Sequence, residues 1–301
     1  MEPTLHFGSD QVLLLNCILA IMIFGVSVTL KPADFSRVVR APKAPLAGLF
    51  AQFVLLPALT CAFTWVLDIE PTLALGMMLV AACPGGTFSN IMTFLARGNT
   101  AVSVSMTAVS SVGSAVLTPF NFALYANLNP NTQPLLQSIA MNPVHLAGLF
   151  FGVLIIPLVL GMMCGQRWPA WARRTEPGFR VFSVVTLVGF VVVAVGQNLN
   201  TLMSYLGVLV AVVIGHNTLA LLMGYLSARF AQLNEADTRA ITLEVGIQNS
   251  GLALAILFTF FPNQTSMMAV AAFWGIWHLI SGGLLSWLWN RKPVGEVSRV
   301  E

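Results

Sequence analysis

Apolar stretches, each long enough to cross a bilayer and recurring nine times between polar connections, constrain this chain more than anything else in it. About 20 helical residues cross roughly 30 Å of hydrocarbon. Only helices and closed barrels satisfy their backbone there. The stretches read as Gln11–Leu30, Pro45–Leu67, Thr72–Ala96, Thr100–Tyr125, Val144–Cys164, Phe179–Val195, Tyr205–Leu226, Ala240–Phe261 and Met267–Trp289. With 57% apolar and 8% charged residues and a mean hydropathy of +0.83, the expected class is an all-α polytopic membrane protein with nine transmembrane helices. The segment Met1–Asp10 lacks a basic n-region and does not read as a cleaved signal peptide. Cys17, Cys61, Cys83 and Cys164 fall within or at the ends of these spans and read as small buried hydrophobes.

The basic residues orient the chain. Lys31, Arg37, Arg40, Lys43, Arg97, Arg167, Arg173, Arg174, Arg180, Arg229 and Arg239 follow the first, third, fifth and seventh spans, and Arg291, Lys292 and Arg299 lie in the tail. These are all 14 Lys and Arg of the chain, and the alternate connections hold none. The positive-inside rule then predicts an N-terminus outside and a C-terminus in the cytosol, expected here to be that of a bacterial inner (plasma) membrane. A net charge of +3 therefore calls for the lipid bilayer and no nucleic acid, and no protein partner is inferred.

One carboxylate, Glu244, is expected at bilayer depth as the only charge there. Inserting it costs about 2.5–3.5 kcal/mol on translocon scales, which marks a functional residue. It opens the polar run Glu244-Val245-Gly246-Ile247-Gln248-Asn249-Ser250-Gly251, which interrupts the eighth span. The third span is interrupted in the same way by Cys83-Pro84-Gly85-Gly86-Thr87-Phe88-Ser89-Asn90. Proline and paired glycines disfavour a continuous helix. Non-helical backbone survives at that depth only where protein or a water-filled cavity supplies its hydrogen bonds. The two interrupted spans run in opposite directions, so spans two to four and seven to nine are expected to be inverted repeats with a site near the midplane.

The series Cys83-Pro84-Gly85-Gly86-Thr87, Ser89-Asn90, Arg97-Gly98-Asn99 and Ser103-Val104-Ser105-Met106-Thr107, followed by Glu244-Val245-Gly246 and Gln248-Asn249-Ser250-Gly251, resembles the bile acid:sodium symporter family. Leu30-Lys31-Pro32, Gln52-Phe53, Gly215-His216-Asn217 and Trp277-His278 extend the match over nearly the whole chain. The resemblance implies sodium-driven transport of organic anions, either bile acids or smaller carboxylates, and no enzyme. It also implies two domains within one unit spanning residues 1–301. A core with two crossed, discontinuous helices would cover roughly 43–127 and 203–290, and a panel roughly 11–30 and 143–196. The nine-span plan is like that of animal members, since many bacterial relatives have ten. Leu279 departs from the family, where Asn often follows the His of the Trp-His pair.

Sodium suits oxygen ligands. Glu244 and Gln248 share a helix face, as do Ser103 and Thr107. The family pattern sorts the oxygens into two sodium sites. One comprises Ser89, Asn90, Ser103, Thr107 and Glu244. The other comprises Gln52, Glu244, Gln248 and the carbonyls of Val245 and Ile247, with Glu244 shared. An anion finds no interior Lys or Arg, so half-helix N-termini at Thr87 and at Asn249-Ser250 are the expected counter-charge. His278 could donate to a substrate carboxylate, and the resemblance puts Leu279 in the same cavity. A proton-coupled or uncoupled carrier on this fold, with Glu244 titrating, stays open. An intramembrane enzyme lacks a His-Glu-x-x-His, an aspartyl pair or a Cys/His cluster to work with.

Overall fold

The structure, a computed structural model, describes residues 9–28, 30, 32–139, 154–197, 199–261 and 263–291. The elements there are helices: α1 (Ser9–Val28), α2 (Pro32–Arg40), α3 (Lys43–Phe50), a π-helical turn (Ala51–Leu55), α4 (Leu56–Val66), α5 (Pro71–Ala82), α6 (Phe88–Leu95) and α7 (Thr100–Leu128). They continue with α8 (Gln133–Ile139), α9 (Ile156–Arg167), α10 (Pro169–Gln197), α11 (Leu199–Phe230), α12 (Glu235–Gly246), α13 (Ser250–Phe260) and α14 (Thr265–Asn290). Among the described residues the only β-type pairing is one antiparallel bridge, Gly85 to Gln248.

Among the described residues, four helical runs are long and apolar enough to cross a membrane: Lys43–Val66, Thr100–Leu128, Leu206–Phe230 and Thr265–Asn290, with a fifth if α1 and α2 form one bent span. The third and eighth expected spans are each two pieces, α5 with α6 and α12 with α13. At 12 and 11 residues, α5 and α13 are too short to cross alone. In the fifth expected span residues 144–153 lie outside the described residues, and its remainder is α9. His6, His145, Lys31, Lys292 and Arg299 also lie outside them.

Local chemistry explains the element ends that position the site. The Glu70 carboxylate caps α5, accepting from the N–H groups of Thr72 (3.1 Å) and Leu73 (3.0 Å), ahead of Pro71 at the first helical position. Asn99 caps α7 through the N–H groups of Ala101 and Val102. Asn234 caps α12 through the N–H of Asp237. In the run Lys43–Val66, Pro57 has no N–H for the carbonyl of Phe53, and the Asn121 amide of α7 donates to it instead at 2.8 Å. Just before it the helix widens, with Leu56 N–H reaching back to Ala51 O. Such π-type turns recur at functional sites. Gln52 lies in this one, completely buried.

Packing follows the hydrophobic pattern. α5 is buried from Leu73 to Ala82 and α13 from Ser250 to Thr259, as helices apolar all round should be. α9 packs on α1 with backbones in near contact, because a Cβ on Gly161 or Gly165 would collide with the carbonyl oxygens of Phe24 or Val28. α10 joins this pair through Phe179, edge-on to Phe24 with ring centroids 5.8 Å apart.

Candidate cation site at the helix crossing

α5 stops because the ring of Pro84 forces Cys83 into extended backbone (φ −72°, ψ 159°) and offers no N–H to continue the ladder. α12 stops at Gly246, and Ile247 is extended as well (φ −115°, ψ 93°). The two breaks meet and satisfy each other. Gly86 N–H donates to Ile247 O at 2.7 Å, and Asn249 N–H donates to Pro84 O at 2.9 Å. This is how broken helices are tolerated at depth. Glycine is needed for space: a Cβ on Gly85 would collide with Glu244 Oε1, and one on Gly86 would sit 3.0 Å from Gln248 O.

Beside the crossing, three helices deliver oxygens to one point. Glu244 of α12 is 1% exposed. Its Oε2 accepts from Ser89 of α6 (2.5 Å) and Ser103 of α7 (2.7 Å), and its Oε1 from Thr107 (2.6 Å). Asn90 Oδ1 stands 2.8 Å from Ser103 Oγ and 3.3 Å from Thr107 Oγ1. Each hydroxyl has one proton to give. If all three go to the carboxylate, Asn90 Oδ1 meets oxygens with no proton between. Lone pairs exceed donors, which is the electrostatic demand of a cation. With the Asn90 amide reversed, its NH₂ would serve the same oxygens without an ion; the orientation here presents the oxygen. All five residues of the first expected set are thus together.

The second expected set is arranged differently. Gln52 Nε2 donates to Gln248 Oε1 (2.7 Å) and to Cys83 O (3.0 Å), while Gln248 Nε2 donates to Val245 O (2.7 Å). Ile247 O is engaged by Gly86, and Glu244 makes no hydrogen bond to Gln52 or Gln248. Gln52 Oε1 is buried and meets no donor. That orphan acceptor is the one atom of this set suited to a cation as it stands.

Next to the crossing lies a cavity of about 150 Å³. Thr87, Asn249 and Ser250 line it at the N-terminal ends of α6 and α13, together with His278 of α14, which is buried with its Nδ1 unpartnered. Leu279 is not among the lining residues; one position along α14, it is turned roughly 100° from His278. Sequence reasoning missed Ser111 and Ser114 of α7, Ser27 of α1, and Glu176 and Ser183 of α10, which complete the wall. The α7 serines had a signal, since Ser103, Thr107, Ser111 and Ser114 continue one helix face. The α1 and α10 residues had none, because only packing brings them there.

Two expectations are corrected. Of the four cysteines read as buried, only Cys61 and Cys83 are; Cys17 is exposed and Cys164 half-buried, because their faces of α1 and α9 are not fully covered by other helices. Arg239, placed by its sequence position in the connection after the seventh span, lies inside α12 and is 2% exposed. Helix C-termini and Glu235 hold it there, as described below.

The profile of the Sodium Bile acid symporter family matches residues 16–205. The chain belongs to this family. A Bacillus subtilis relative, named an uncharacterized sodium-dependent transporter, is 32% identical over 91% of this chain and 82% of its own length. A probable chloroplastic sodium/metabolite cotransporter of Arabidopsis thaliana is 32% identical over 91% of this chain, which spans only 66% of it. The human sodium-dependent organic anion transporter is 27% identical over 89% of this chain and 70% of its own length. Family membership and the apolar helices make this a multi-pass membrane protein, and the names of its relatives are those of transporters, not enzymes.

Proposed function

We propose that the protein is a sodium-coupled symporter of organic anions that works by alternating access. The observation that carries this reading is the oxygen cluster of buried Glu244, Ser89, Ser103 and Thr107 with half-buried Asn90, short of protons beside a crossing of two broken helices. One sodium ion binds there. A second binds where Gln52 Oε1 faces no donor, after Gln248 and the carbonyls of Val245 and Ile247 turn toward it. The anion occupies the adjoining cavity, its negative charge on the N-termini of α6 and α13 at Thr87, Asn249 and Ser250, with His278 as a further polar contact. Bound cations strengthen this anion site, which couples the two solutes. The crossed helices belong to a core, and α1, α9 and α10 to a panel that moves against it in a nine-span molecule with its N-terminus outside and C-terminus in the cytosol of a plasma membrane.

Uptake into proteoliposomes of a panel of sulfonated sterols and small keto or hydroxy acids, with and without a sodium gradient, tests this. Wild type should accumulate at least one class only with sodium, and Glu244→Gln should abolish that dependence. Uptake indifferent to sodium and steep in pH would instead identify a proton-coupled carrier. Undiminished substrate binding in sodium-free buffer would remove the coupling argument.

A further inference from the structure

The corner Arg97-Gly98-Asn99, between α6 and α7, supplies none of the oxygens at the crossing, yet it holds all three helices that do. Asn99 Oδ1 caps α7, while its Nδ2 donates to Asp237 Oδ1 of α12 at 2.7 Å and its backbone N–H to Ala236 O at 2.9 Å. Arg239, one turn further along α12, gives Nη1 to Ala96 O at the end of α6 (2.9 Å) and to Trp289 O at the end of α14 (3.1 Å), and Nε to Glu235 (3.0 Å). A guanidinium among helix C-termini complements their partial negative charge and their free carbonyls. Gly98 lets the corner close: a Cβ there would stand 2.9 Å from Thr93 Cγ2, 3.2 Å from Arg239 Cβ and 3.3 Å from Ala236 O.

We propose that Gly98, Asn99 and Arg239 are positioning residues that set the register of α6, α7 and α12, and through it the affinity of the cation site built around Glu244. The inference rests on the cation reading of that cluster. Geometry favours it because the lever arms are short. Glu244 is about 7.5 Å along α12 from Arg239, Ser103 about 6 Å along α7 from Asn99, and Asn90 about 9 Å along α6 from Ala96, at about 1.5 Å per residue. A ligand set works only when held within about 0.5 Å. A shift of the corner is therefore delivered to the oxygens without loss.

The test is sodium titration of the purified full-length protein at constant ionic strength, with potassium as the balancing salt, read as sodium-specific stabilisation against heat. Wild type should show saturable stabilisation, and Glu244→Gln should lose it. Gly98→Ala and Asn99→Asp, the latter setting two carboxylates face to face, should raise half-saturating sodium about 10-fold, the lower end of outer-shell effects on metal affinity. Their end point at saturation should be retained. Arg239→Lys, which keeps the charge but cannot reach all three partners, should fall between. Gly165→Leu, at the contact of α9 with α1, should lower the melting temperature with half-saturation unchanged. Variants of Gly98, Asn99 and Arg239 that melt earlier at unaltered half-saturating sodium would overturn the positioning role alone. A Glu244→Gln protein with the wild-type sodium response would overturn the cation site beneath it.

Discussion

At the scale of single residues, buried polar atoms define the molecule. Asn121 is the clearest structural case, since Pro57 leaves the Phe53 carbonyl without a helical donor and the Asn121 amide replaces it. An orphaned buried acceptor costs about 1–3 kcal/mol, whereas interhelical hydrogen bonds in membranes average only about 0.6 kcal/mol. Phe53 O has lost its regular helical donor to Pro57, which puts it nearer the costlier case. Asn121→Ala should therefore lose about 1–3 kcal/mol in a denaturation experiment in detergent. Pro57→Ala in the same chain should return part of it by restoring an N–H, a non-additivity measurable in a double-mutant cycle. The set of Ser89, Asn90, Ser103 and Thr107 around Glu244 was legible through the family resemblance, with the helix-face spacing of Ser103 and Thr107 in accord with it. Glu176 and Ser183 were not, since only the packing of α10 beside the cavity brings them to its wall.

At the scale of elements, both helix breaks could be read directly from Pro84-Gly85-Gly86 and from the polar run after Glu244. Backbone rules act locally there, through a missing N–H and a missing Cβ. The π-type turn at Ala51–Leu55 could not be read that way, because its cause is shared between Pro57 and an asparagine on another helix. Arg239 escaped for a related reason: the carbonyls that accept it end helices far from it in sequence. The contact of α9 with α1 shows how an element-level change should behave. Gly165→Leu drives a side chain against Val28 O, where even a Cβ does not fit. Overpacking costs about 1–3 kcal/mol. Melting temperature should drop, and sodium affinity should hold, since neither helix supplies an oxygen to the Glu244 cluster.

At the scale of the whole molecule, the asymmetry of basic residues makes a topological prediction. A single cysteine replacing Arg40 should react with a membrane-impermeant maleimide only from the cytosolic side, and one replacing Asn131 only from outside, in intact and inverted vesicles of a chain whose four cysteines have been replaced. Reversed labelling would refute the assigned orientation. The bond from Ser89 to Glu244 joins residues 155 positions apart, and the backbone pairing of Pro84 and Gly86 with Asn249 and Ile247 spans a similar stretch of chain. A ribosome adding about 5–20 residues per second needs roughly 8–30 s to make that stretch. For that interval the first broken helix is already synthesised, with its exposed carbonyl and amide waiting for partners that do not yet exist. Those two groups stay without their native partners until synthesis has passed Ile247 and Asn249.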